Sequence, residues 1–100
     1  MKFKKAMITI QNIPQAKEQF QTLNGWLSEC GRYGFCRSDN GKTWRAVDIP
    51  SGMLICSKKT RAECADYVER FKGKIVAAKG CEKYRNAVRN MINYLRRTPS

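Results

Sequence analysis

Lys42-Thr-Trp-Arg-Ala-Val-Asp-Ile-Pro-Ser-Gly-Met-Leu-Ile-Cys-Ser-Lys-Lys-Thr-Arg-Ala-Glu-Cys-Ala-Asp-Tyr-Val-Glu-Arg-Phe71 reads as strand, tight turn, strand and capped helix. Side chains alternate along a strand, so Trp44, Ala46 and Asp48 point one way, and Thr43, Arg45, Val47 and Ile49 the other. Pro50-Ser-Gly52 has the chemistry of a turn: proline presets φ and glycine accepts a positive φ. Met53 to Cys56 is a short apolar run, as in a strand with little exposure. Thr60-Arg-Ala-Glu63 is a capping box, in which the Thr60 hydroxyl accepts from the Glu63 amide and the Glu63 side chain reaches back to accept from the Thr60 amide.

Working outward, Arg32 to Arg37 carries Tyr33 and Phe35, and Ser38-Asp-Asn-Gly-Lys42 follows. Asn-Gly is the strongest short hairpin signal. Strand 33–37 should therefore pair antiparallel with 42–49, and 53–57 should pair back. Lys2 to Ile10 reads as a further strand, with Ala6, Ile8 and Ile10 on the more apolar side. Between them, Pro14 stands where a helix can start. Ala16, Phe20, Leu23 and Leu27 recur at helical spacing, and Gly25 and Gly31 weaken and then end that helix. Trp26 lies beside its apolar stripe and is read as core.

The capped helix is expected from about Arg61 to Lys79, with Cys64, Val68, Phe71, Ile75 and Ala78 as its stripe. Acidic residues in its first turn and lysines in its last agree with the helix dipole. Gly73 is its weak point, and Gly80 suits its end. Cys81 to Arg97 is a last helix, with Tyr84, Val88, Met91 and Leu95 on one side. Thr98-Pro-Ser100 is a frayed tail. The expected fold class is α+β: a three- or four-stranded antiparallel sheet packed against two to three helices, in a single domain spanning 1–100.

Charge narrows the partner. Twenty Lys and Arg stand against eight Asp and Glu, a net +12 on 100 residues. Such an excess favours approach to nucleic acid, an anionic membrane or an acidic protein surface. From Arg70 onward there are nine Lys and Arg and one acid, Glu82. At ~100° per residue, Arg85, Arg89 and Arg96 fall within about 40° of one another on the last helix. They form a candidate phosphate-backbone contact; the plainer reading is a solvated helix face. Lys58, Lys59 and Arg61 gather at the start of the capped helix, where backbone amides favour anions. Lys42 and Arg45 are placed to reach the same partner. Tyr33, Phe35 and Trp44 are read as core, with base stacking as the alternative.

Catalytic and metal chemistry find little footing. There is no histidine, P-loop, nucleophile elbow or D-x-D cluster, so the expectation is a protein that is not an enzyme and needs no cofactor. Cys30, Cys36, Cys56, Cys64 and Cys81 are odd in number, and none stand in C-x-x-C pairs. A zinc site wants four closely paired ligands, so no metal is expected. The cysteines read as reduced and mostly buried thiols, and nothing in the spacing selects a disulfide such as Cys30–Cys36. With no apolar leader and no run near the ~20 residues of a membrane span, the chain is expected to be cytoplasmic, in a bacterial host cell, with no membrane partner. Oligomeric state is not legible.

Trp44 to Cys56 followed by Thr60-Arg-Ala-Glu-Cys64 resembles a strand, Ser/Thr-Gly turn, strand and T-R-x-E helix start found in small accessory proteins of phages and mobile elements. The resemblance covers about a third of the chain. It implies a non-catalytic anti-defence role, anti-CRISPR-like, through binding of nucleic acid (RNA or DNA) or a CRISPR-type nucleoprotein effector. Acidic DNA mimicry, common among such inhibitors, does not suit a net +12. The same order is similar to the arm-binding domain of phage integrases, which implies as an alternative a duplex DNA-binding module that reads sequence through its sheet. Met53 to Cys56 is apolar where base-reading strands carry polar and basic side chains.

Overall fold

The computed structural model describes residues 2–12, 19–38 and 41–97. Within them the chain runs β1 (Phe3–Gln11), β2 (Phe20–Ser28), β3 (Tyr33–Arg37), β4 (Trp44–Asp48), β5 (Leu54–Lys58), α1 (Arg61–Arg70), α2 (Lys72–Ala78) and α3 (Glu82–Arg97). The strands form one antiparallel meander in sequence order, and the helices follow. The result is a single α+β domain.

The unit read first in the sequence forms its expected order of strand, turn, strand and helix. Tyr33 pairs with Asp48 and Arg37 with Trp44, so the β3–β4 hairpin has the anticipated partners. Gly41 takes φ 69° in the hairpin turn; Asp39 and Asn40 lie outside the described residues. Gly52 takes φ 71° between β4 and β5. The Thr60 hydroxyl accepts the Glu63 amide at 3.1 Å and starts α1, while the reciprocal bond from the Thr60 amide to the Glu63 side chain does not form among the described residues.

Three expectations are corrected. The helix read from Pro14 to Gly31 is instead, over Phe20–Ser28, the strand β2, paired with all nine residues of β1. Leu23 and Leu27 satisfy helical spacing and strand alternation equally, so their periodicity did not discriminate. Gly25 marks the difference. A Cβ there would lie 2.6 Å from the Phe35 carbonyl oxygen and 2.7 Å from Ile8 Cγ1, so glycine permits close approach between strands. Pro14, Ala16, Lys17 and Glu18 fall outside the described residues. The sheet accordingly has five strands among the described residues, where three or four were expected.

Second, the helix expected over 61–79 is two. Phe71 leaves helical geometry at φ −107°, ψ 21° and packs its ring on Tyr67, with centroids 4.6 Å apart. Gly73, just beyond, weakens continuation by about 1 kcal/mol relative to alanine. Third, β5 is an edge strand, and Leu54 is 53% exposed rather than covered. A bulge between Ala46 and Val47 skips Ile55 in the pairing, so Ile55 and Cys56 both pack toward α1.

Two apolar clusters result. On the outer face, α1 lays Cys64, Ala65 and Val68 over Tyr33, Phe35 and Ala46. On the inner face, Ile8, Ile10, Cys36 and Val47 bury one another, with Leu23, Leu27 and Ile49 around them. The sheet coils until the end of β1 meets the β4–β5 turn, where the Gln11 amide donates to the Gly52 carbonyl at 2.8 Å.

Candidate nucleic-acid interface

α3 is held against this seam by contacts from distant parts of the chain. The Gln11 side-chain amide donates to the Ser51 carbonyl at 2.8 Å and the Ala87 carbonyl at 2.9 Å. Phe20 stacks on Tyr94 at 4.2 Å. A Cβ on Gly52 would collide with the Met91 methyl and lie 2.9 Å from the Gln11 amide, so glycine is needed there for space as well as φ.

Asp48 completes the anchor. It is 3% exposed, and its Oδ2 accepts the Ser51 amide at 3.2 Å, the Ser51 hydroxyl at 2.7 Å and the Tyr84 hydroxyl at 2.8 Å. Lys79 Nζ stands 3.5 Å from Oδ1, which has no hydrogen-bond partner among the described residues. Burial, and then donation to Asp48, pushes the Tyr84 phenol above its ordinary value of 10.0. Sequence reading placed Asp48 on the correct face but gave it no role. Its partner Tyr84 is 36 positions away, and no local signal links them.

With Ala87 and Met91 buried in that seam, helical geometry turns Arg85, Arg89 and Arg96 outward. All three are exposed, and their guanidiniums have no ion-pair partner among the described residues. The ridge expected from the sequence is therefore open to solvent.

The remaining basic candidates divide. Lys59 is exposed and Lys58 half-buried, with its ammonium 5.1 Å from the Tyr67 ring centre. Arg61 is half-buried against rings: its guanidinium carbon lies 4.4 Å from the Phe3 ring centre, 4.8 Å from Trp26 and 5.9 Å from Trp44. Arg45 alternates to the face opposite Trp44, away from Arg61, and Lys42 is exposed beside the hairpin turn.

Two cations missed in the sequence join the aromatic side. Arg37 stands 5.2 Å from the Trp44 ring and Lys5 5.6 Å from Trp26. Alternating aromatic and basic residues on β1 and β3 were the available signal. Tyr33 and Phe35 are buried as expected of core, whereas Trp26 and Trp44 are only half-buried.

All five cysteines are thiols, none in a disulfide. Cys36 and Cys64 are buried, Cys56 is half-buried, and Cys30 and Cys81 are exposed, so the expectation of mostly buried thiols holds for only part of the set. Burial raises the Cys64 thiol to about 12, while the Ser28 hydroxyl lowers Cys30. Among the described residues no three His, Cys, Asp or Glu gather as a metal site, and no helix is long and apolar enough to cross a membrane. Comparison of the chain with family models, curated proteins and solved structures finds no match.

Proposed function

We propose that this is a non-catalytic accessory protein of the phage type. Its α3 ridge grips the phosphate backbone of a nucleic acid, either free or within a nucleoprotein such as a CRISPR effector. The observation that carries the reading is Arg85, Arg89 and Arg96, exposed on one side of a helix and without an acidic partner among the described residues. Guanidiniums offer forked donors that match phosphate oxygens, and their contacts release counterions. An anti-defence role follows from the resemblance of the β4–β5–α1 stretch to phage accessory proteins. The sheet-reading duplex module has less support. β5 presents Leu54, Ile55 and Cys56, which lack the forked donors and acceptors that read base edges.

The test is fluorescence anisotropy of labelled RNA and DNA, titrated with salt, for the native chain and the triple variant R85A/R89A/R96A. Loss of three phosphate contacts should flatten the salt slope by roughly 2–3. Surface changes of this kind should leave stability within about 0.5 kcal/mol. Unchanged affinity and slope would remove α3 from the function. Inhibition of an assembled CRISPR effector, lost in the same variant, is the expected outcome for the anti-defence role.

A further inference from the structure

The outer face of β1–β4 carries an open cleft of about 590 Å³ beside α1. β2 and β3 pair only through Trp26–Phe35 and Leu27–Gly34, so the cleft opens where their ladder stops. Lys5, Met7, Asn24, Trp26, Arg37 and Trp44 stand around it, and no carboxylate lines it among the described residues. Both indoles are half-buried, and three cations lie over rings at this face: Lys5, Arg37 and Arg61.

We propose that this cleft takes unpaired bases of a single-stranded nucleic acid. The chemistry required is a flat π-surface to stack a base, a positive field for its phosphates, and donors that reach them. Trp26 and Trp44 supply the surface once the exposed side chains of Lys5 and Arg37 swing from over the rings onto the strand's phosphates. Lys5 and Arg37 supply the charge and the donors, and Arg61 holds both indoles from the α1 side while adding its own charge. A cleft this size admits one or two bases. A duplex keeps its base faces stacked inside and cannot offer them. The inference takes from the α3 reading only the class of partner, and it assigns a separate surface to the strand.

The two tryptophans of the chain are Trp26 and Trp44, so indole emission reports this cleft alone. Emission is followed while oligo(U), oligo(dT), a duplex, a mononucleotide and inorganic polyphosphate are added. Anisotropy of the labelled strand records binding by any surface. The expected result is quenching by both single strands, or by one if the sugar is read, with none from polyphosphate. R37A and K5A, at positions outside the core, should each weaken quenching about threefold to tenfold, as expected for lost phosphate and stacking support. W26F and W44F should each leave the remaining indole responsive.

Anisotropy that rises without quenching overturns the cleft and leaves the α3 reading standing. Equal quenching by polyphosphate also overturns it, because charge alone would then suffice. No binding of any nucleic acid removes both readings. Quenching that survives R85A/R89A/R96A supports the cleft even where the ridge fails.

Discussion

The α3 ridge and the sheet cleft are both rich in positive charge, yet they hold it differently. On α3, Arg85, Arg89 and Arg96 are exposed, with no guanidinium–ring contact among the described residues. On the sheet, Arg61 sits among three rings, and Arg37 and Lys5 each lie over one. A solvated guanidinium contributes little to folding and stays available to a partner. A ring-stacked one contributes to folding and shapes an aromatic surface. Equal formal charge in a sequence therefore carries unequal roles in the fold.

The largest expected effect breaks the ridge without touching the cleft. Asp48→Ala leaves Lys79 and Tyr84 without their shared carboxylate at the root of α3. Losing one partner of a largely buried network should destabilise by about 3 kcal/mol. Urea unfolding measures this, and a loss below about 1 kcal/mol would show that α3 is anchored elsewhere. The Lys5–Trp26 and Arg37–Trp44 contacts should survive in the folded fraction.

A second substitution tests the floor of the cleft. Gly25→Ala sets a methyl 2.6 Å from the Phe35 carbonyl oxygen, and backbone cannot yield as a flexible side chain can. The expected loss is about 2 kcal/mol, as for overpacking. A neutral result in thermal melts would mean that β2 and β3 can separate freely.

Two alkaline-titrating groups with the largest upward shifts belong to these regions, the buried Cys64 beneath Trp44 and the half-buried Tyr84 at the foot of α3; Tyr33 and Cys56 are raised as well. In the unfolded chain the Cys64 thiol ionises near 9.0, and in the fold near 12. The unfolded state thus loses its proton first. Stability is full below about pH 9 and falls as pH rises toward 12. Tyr84, also raised, adds to the fall above its ordinary value of 10.0. Between pH 8 and 10 the decline should be about 1 kcal/mol. C64A should remove the largest share of it, the raised Cys56 thiol leaving a remainder, and Y84F should act only at the upper end. A flat profile for the native chain would place both groups in contact with water.

The smallest effect is the most direct comparison. Arg61→Met should cost about 0.5–1 kcal/mol through lost ring contacts, while Arg89→Met should change nothing measurable. Equal melting temperatures would remove the distinction between the two regions.

Parts of this picture were legible in advance. Pro50-Ser-Gly52, the capping Thr60 and the alternation of Trp44, Ala46 and Asp48 each act over a few residues, so the β4–β5–α1 unit could be read directly. The α3 ridge was legible for the same reason, since spacing on one helix fixes which residues share a side. β2 was not, because Leu23 and Leu27 fit both periods and the partner that decides between them is β1. The cleft was missed because Lys5, Trp26, Arg37 and Arg61 come from four different elements. Sequence reading grouped Arg61 with Lys58 and Lys59 by proximity along the chain, whereas the fold sets it half-buried against three rings.

From the amino acids alone came the net charge, the β3–β4–β5 meander, the cap of α1 and the outward ridge of α3. Tertiary structure decided that β2 is a strand, that Asp48 and Gln11 dock α3, and which cations meet aromatic rings. The physical reason is range. Caps, turns and periodicity are settled by neighbours a few residues apart. The bond from Gln11 to Ala87 spans 76 positions and exists only once the sheet has coiled.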